Sequence, residues 1–152
     1  MHVMTKYLDT RKAAIAALCD FALMEHAADH THHVADELRT GLASPASPRL
    51  DGTPPGRDSH SGEARLAATL DKIDLIAERQ REARQYMDWF LPAWEVLSED
   101  DRFILETFFL GDGSQEERVQ VIADRYYIEK DSVYRRKNRA LDRFAIALYG
   151  RF

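Results

Sequence analysis

Long apolar runs are missing from this 152-residue chain. No stretch approaches the about 20 consecutive apolar residues of a membrane-spanning helix, so no membrane partner is expected. Cysteine is nearly absent: Cys19 alone excludes an internal disulfide framework and fits a reducing compartment. Its place in an apolar stripe reads as a small buried hydrophobe. The opening residues, Met1-His2-Val3-Met4-Thr5-Lys6, lack the pattern of a signal peptide, and a cytoplasmic location is expected. There is no P-loop, dinucleotide fingerprint or nucleophile elbow, and the acids Glu99, Asp100 and Asp101 read as a helix start rather than a catalytic pair. Neither enzyme activity nor a cofactor is expected.

Alternation of apolar and polar residues is also absent, which excludes strands and leaves an all-α chain. Proline and glycine are scarce outside one segment. Residues 41–62 hold four of the five prolines and four of the seven glycines, with Leu42 and Leu50 as the only large apolar residues. Such a stretch cannot repay its ordering entropy by burial and reads as a flexible linker. The domain plan that follows is an N-terminal helix in 1–40, the linker in 41–62, a second long helix in 63–95 and a C-terminal domain in 96–152.

What is present is charge, unevenly placed. The formal net charge of −5 argues against nucleic acid. Residues 118–152, however, carry nine Lys/Arg against four acids, for +5, and residues 1–117 carry 12 against 22, for −10. The chain is a basic end on an acidic body.

The first helix is predicted from about Thr5 to Leu38, with Leu8, Ile15, Leu18, Phe21 and Ala22 as its stripe and Val34 and Leu38 resuming it. The second has a heptad, Leu66, Leu70, Ile73, Ala77, Gln80, Arg84, Met87, Leu91 and Trp94, in alternating steps of four and three. It suits a helical hairpin with the first helix or a coiled coil between two chains. Trp89, Phe90 and Trp94 read as core or as the junction with the C-terminal domain. Pro92 is expected to kink or end the helix near Leu91. Ser98 then caps a helix bearing Ile104, Leu105, Phe108 and Phe109, stopped by Gly111-Asp112-Gly113. Ser114-Gln115-Glu116-Glu117 is a capping box opening a helix to Tyr126, and a last helix runs from Lys130 to Tyr149.

Two helices joined by a tight turn, the second one basic, have the layout of a helix-turn-helix. Ala123 is the small residue at the crossing, and Tyr126, Ile128 and Val133 fall where packing needs apolar groups. With Val133 inward, Lys130, Asp131, Tyr134, Arg135 and Asn138 face outward. Lys and Arg suit guanine edges, Asn suits adenine, and Tyr packs on a thymine methyl or a phosphate. Arg118, Arg125, Arg136, Lys137 and Arg139 lie where phosphate contacts would position such a unit, and Ser114 with the amides behind it is a further phosphate candidate.

The stretch from Leu97 to Leu148 resembles region 4 of bacterial sigma factors. The matching residues are Leu97-Ser98-Glu99-Asp100-Asp101-Arg102-Phe103-Ile104-Leu105, then Arg118-Val119-Gln120-Val121-Ile122-Ala123, then Ser132-Val133-Tyr134-Arg135-Arg136-Lys137-Asn138-Arg139-Ala140-Leu141. The longer layout, with Leu50-Asp51-Gly52-Thr53-Pro54-Pro55-Gly56 in its linker, is similar to phage transcriptional regulators of the ArpU/RinA type. The resemblance implies promoter-type DNA as ligand, with base reading at Lys130, Asp131, Tyr134 and Arg135. The chain departs from the pattern in three places: Tyr127 where Gly is frequent, Glu129 in place of Ser or Thr, and Lys137 where an apolar residue is common. No basic, aromatic-rich helix precedes residue 95, so a complete sigma factor is not expected.

His26, His30 and His33 put three imidazoles on one helix face beside Asp29. They are candidates for a divalent ion, but structural sites draw ligands from separate elements, and no metal is expected. The expected function is sequence-specific binding of double-stranded DNA in transcription control, phage or prophage encoded, as a homodimer through the 66–94 heptad. The alternatives are an interaction module docking on RNA polymerase and a packaging protein like the phage small terminase subunits.

Overall fold

A computed structural model describes residues 9–43 and 59–150, with the side chains of residues 31, 32 and 59–61 excepted. The chain is all-α, with no strand among the described residues. Its helices are α1 (Thr10–Ala43), α2 (Ser59–Glu95), α3 (Glu99–Leu105), α4 (Gln115–Tyr126) and α5 (Lys130–Tyr149). A π-helical turn, Glu106–Leu110, continues α3.

The short helices follow their caps. Ser98 accepts a hydrogen bond from the Asp101 amide at the start of α3. At α4 the capping box is complete: the Ser114 hydroxyl accepts from the Glu117 amide, and the Glu117 carboxylate accepts from the Ser114 amide at 2.7 Å. Gly113 sits before it at φ 85°, a left-handed conformation natural to glycine. The α4 and α5 boundaries match the sequence expectation residue for residue.

The long helices depart from it. Asp9 caps α1 by accepting from the Lys12 amide, so the helix begins at Thr10, not Thr5, and runs on to Ala43. The same backbone hydrogen bond holds the Asp9 carboxyl below its ordinary pKa. Residues 41–43 and 59–62, assigned to the linker by composition, are helical; residues 44–58 lie outside the described residues, as do Thr5 and Leu8. Pro92 does not end α2 at Leu91; the helix carries it in its last turn and stops at Glu95. The reason is burial. Phe90, Ala93 and Leu97 flank the proline and are sunk in the core, and their packing outweighs one lost backbone hydrogen bond. Cys19 is exposed rather than buried, because Ala14, Ala17 and Leu18 form the inner face of α1 there.

The α2 seam has the expected period in a different phase. Ile73 and Gln80 are buried, and Met87 and Trp94 half-buried, as the heptad requires. The alternate positions on the inner face are Ala83, Phe90 and Leu97, whereas Arg84 and Leu91, with Leu66 and Leu70, are exposed. The heptad expected to join two chains is therefore half occupied within one chain.

The chain divides into two compact units, parted between Ala22 and Leu23 on α1 and between Gln85 and Tyr86 on α2. This division differs from the sequence-based boundary at 95/96, because aromatic residues at the end of α2 belong to the same core as α5. In that larger unit Phe90 is central, with ring centroids 4.9 Å from Phe21, 5.5 Å from Tyr86 and 5.4 Å from Phe144. Tyr86 donates its hydroxyl to the Ala17 carbonyl, and burial raises its pKa. Trp89, only partly buried, donates its indole N–H to the Leu148 carbonyl. A second cluster, Ile104, Phe108, Val119, Ile122, Ala123 and Val133, locks α3, α4 and the start of α5 together. The smaller unit includes residues 23–43 of α1 and 59–85 of α2, and among the described residues its buried ones are Ala28, Ala35, Ile73, Gln80 and Ala83.

Candidate nucleic-acid interface

The turn between α4 and α5 occupies three residues. Tyr127 takes a left-handed conformation, φ 51° and ψ 48°, where glycine would be unstrained, and its amide donates to the Ala123 carbonyl. The Ile128 amide donates to the same carbonyl at 3.0 Å, and its side chain packs on the second cluster. Glu129 caps α5 through its backbone alone, its carboxylate making no cap bond. Val133, fully buried, then fixes the rotation of α5 against α4.

That rotation leaves Lys130, Asp131, Tyr134, Arg135 and Asn138 exposed on one end of α5. The side chains of Lys130, Asp131, Arg135 and Asn138 form no hydrogen bond or ion pair among the described residues. Tyr134 rests edge-on against Phe108, centroids 5.8 Å apart, which holds its ring while leaving the side chain 39% exposed. Farther along, Arg11 of α1 clamps Asp142 with two hydrogen bonds, one of 2.7 Å. The open length of α5 is thus its first three turns.

The residues expected at phosphates separate into two groups. Arg139 is exposed, its side chain without hydrogen bond or ion pair among the described residues. Arg125 and Arg136 are exposed and lie over aromatic rings, Arg125 4.1 Å from the Phe103 centroid and Arg136 5.0 Å from that of Tyr126. Three others are turned to internal work. Ser114 has its hydroxyl oxygen and its amide engaged in the capping box, with the Glu117 carboxylate where an anion would sit. Arg118 is half-buried and donates to the Phe108 carbonyl at 3.3 Å, bracing the π turn, while its buried Nε has no hydrogen-bond partner among the described residues. Lys137 lays its ammonium 4.8 Å from the Phe108 centroid, and desolvation, then Arg11 nearby, lowers its pKa. It fills the place of an apolar residue with its methylene stem.

One arrangement was invisible in the pattern of the sequence. Asp101, 5% exposed, accepts two hydrogen bonds of 2.6 Å from Arg143 across 42 residues. The carboxylate raises the guanidinium's pKa, and the pair ties the α3 start to the back of α5. No local spacing could announce a bond between residues so far apart in the chain.

In the smaller unit, His26 and His30 stack with centroids 4.2 Å apart, while His33 is exposed on its own. Among the described residues no group of three His, Cys, Asp or Glu side chains is placed to hold a metal ion. No protein-family model, curated protein or solved structure matches the chain.

Proposed function

We propose that the chain is a sequence-specific regulator of transcription, phage or prophage encoded, that reads double-stranded DNA with the exposed end of α5. The carrying observation is that Lys130, Asp131, Arg135 and Asn138 share one exposed surface directly after a three-residue turn, their side chains engaged with no other described residue. Free donors at a helix N-terminal end, with an apolar face locked behind them, are what major-groove readout needs. In this reading α4 and α5 form a helix-turn-helix like that of sigma region 4, and the residues left for phosphate are Arg125, Arg136 and Arg139. Ser114, Arg118 and Lys137 hold the fold instead.

The charge split supports the same reading. A body at −10 repels DNA in general, so affinity depends on the correct site contacting the +5 end, or on RNA polymerase as a second anchor. Two copies would read a symmetric site.

Selection of bound sequences from a random DNA pool tests the proposal. A defined motif is expected, with Arg135→Ala weakening that site about tenfold to hundredfold and relaxing one of its positions. Arg139→Ala is expected to weaken all sequences alike and to lower the salt slope by about one. Weak affinity indifferent to sequence, unmoved by either change, would overturn it and leave the polymerase-docking and packaging readings.

A further inference from the structure

Along α5, Tyr134, Asn138 and Asp142 follow one another in steps of four and lie on one ridge of the helix. The first two belong to the surface proposed to read bases. From Asn138 the same side continues through Leu141, Ala145 and Leu148, in steps of three, four and three. These three are buried in a cluster that includes Ala14, Ala17 and Leu18 of α1. With Arg11 bonded to Asp142, the start of α1 stands where the exposed length of α5 ends.

The Asp142 side chain is 42% exposed, and the Arg11 guanidinium grips it through Nε and one terminal nitrogen, the latter at 2.7 Å. That grip takes two of the five N–H donors of an arginine. The guanidinium is planar and is held along one edge, so the other three donors face away from the carboxylate. They bond no described residue, and the Arg11 side chain is 53% exposed. Both groups are open to water, so the pair adds little to stability. Its chemistry is that of a held guanidinium with donors to spare.

The later turns of a helix that enters the major groove run beside the phosphate backbone, and a bare aspartate there repels it. Arg11 cancels that charge and presents N–H donors in the fork that suits phosphate oxygens. We infer that Arg11, contributed by α1 and held by Asp142, contacts a backbone phosphate just beyond the bases read from α5. The inference rests on the DNA reading proposed above and brings a third helix to the duplex.

Affinity and ethylation interference, measured with the full chain on its selected site, test it. The deciding variant combines Arg11→Gln with Asp142→Asn, which removes the guanidinium, leaves no bare carboxylate and keeps the net charge. It is expected to bind the selected site and an unrelated duplex about tenfold more weakly alike, with the motif unchanged. Ethylating one phosphate that flanks the motif is expected to weaken the wild type and not the double variant. Arg11→Gln alone bares Asp142 and should bind more weakly still. Both positions are exposed, so the fold is retained, which circular dichroism and unchanged interference at the other phosphates check. A double variant that binds like the wild type, or is weakened by ethylation at the same phosphates, overturns this inference and leaves the DNA reading standing. A wild type that binds no duplex, or all duplexes alike, overturns both.

Discussion

At the residue scale, the Asp101–Arg143 pair is lopsided, and the lopsidedness can be measured. The aspartate side chain is 8% exposed and the arginine 56% exposed. Replacing Asp101 by Asn leaves a guanidinium that water can still solvate, whereas replacing Arg143 by Met leaves a buried carboxylate without its partner. Urea unfolding should find Asp101→Asn costing about 1 kcal/mol and Arg143→Met about 3 kcal/mol. Equal costs would mean that the carboxylate is hydrated after all. Tyr127 is the second residue that breaks a local rule, sitting left-handed with its side chain 96% exposed. Nothing is packed on it, so Tyr127→Gly removes only strain, less the extra freedom glycine brings to the unfolded chain. The expected gain is about 0.5–1 kcal/mol, read from the same unfolding curves. The outward positions of Lys130, Arg135 and Asn138 were legible from sequence, because Val133 and the helical repeat fix them. The engagement of Ser114, Arg118 and Lys137 was not, since it depends on the Glu117 carboxylate, the Phe108 carbonyl and the Phe108 ring.

At the element scale, α4 and α5 were legible to the residue because their ends are written in local chemistry: a capping box, a tight turn and a terminal glycine. The α2 seam was legible only in period. Ile73, Gln80, Met87 and Trp94 belong to two heptads at once, and exposed Leu66, Leu70 and Leu91 favoured the wrong one. The choice is made by tertiary packing, where Phe90 meets Phe21 and Phe144, and by alanines on α1 that carry almost no hydrophobic signal. Pro92 shows the same override. Its ring withholds a backbone donor in the last turn of α2, yet the helix continues past it. Because Pro92 is exposed, Pro92→Ala should add the missing hydrogen bond without disturbing the core. Thermal unfolding is expected to show about 1–2 kcal/mol of added stability. A loss would mean that the proline sets a bend needed by Phe90 and Leu97.

At the scale of the whole molecule, the two units are built from different materials. The larger holds Phe90, Phe144, Leu105, Ile104, Ile122, Val119 and Val133 at 2% exposure or less, while the smaller relies on alanines, Ile73 and one buried glutamine. Burial of about 25 cal/mol per Å² of apolar surface favours the aromatic and branched core heavily over alanine contacts. The free energy of local opening should therefore be low in the smaller unit and close to global in the larger. Hydrogen exchange on the full chain is expected to exhaust the amides of residues 23–43 and 59–85 well before those of residues 133–148. Uniform exchange across both units would mean that the alanine seam is as cohesive as the aromatic core.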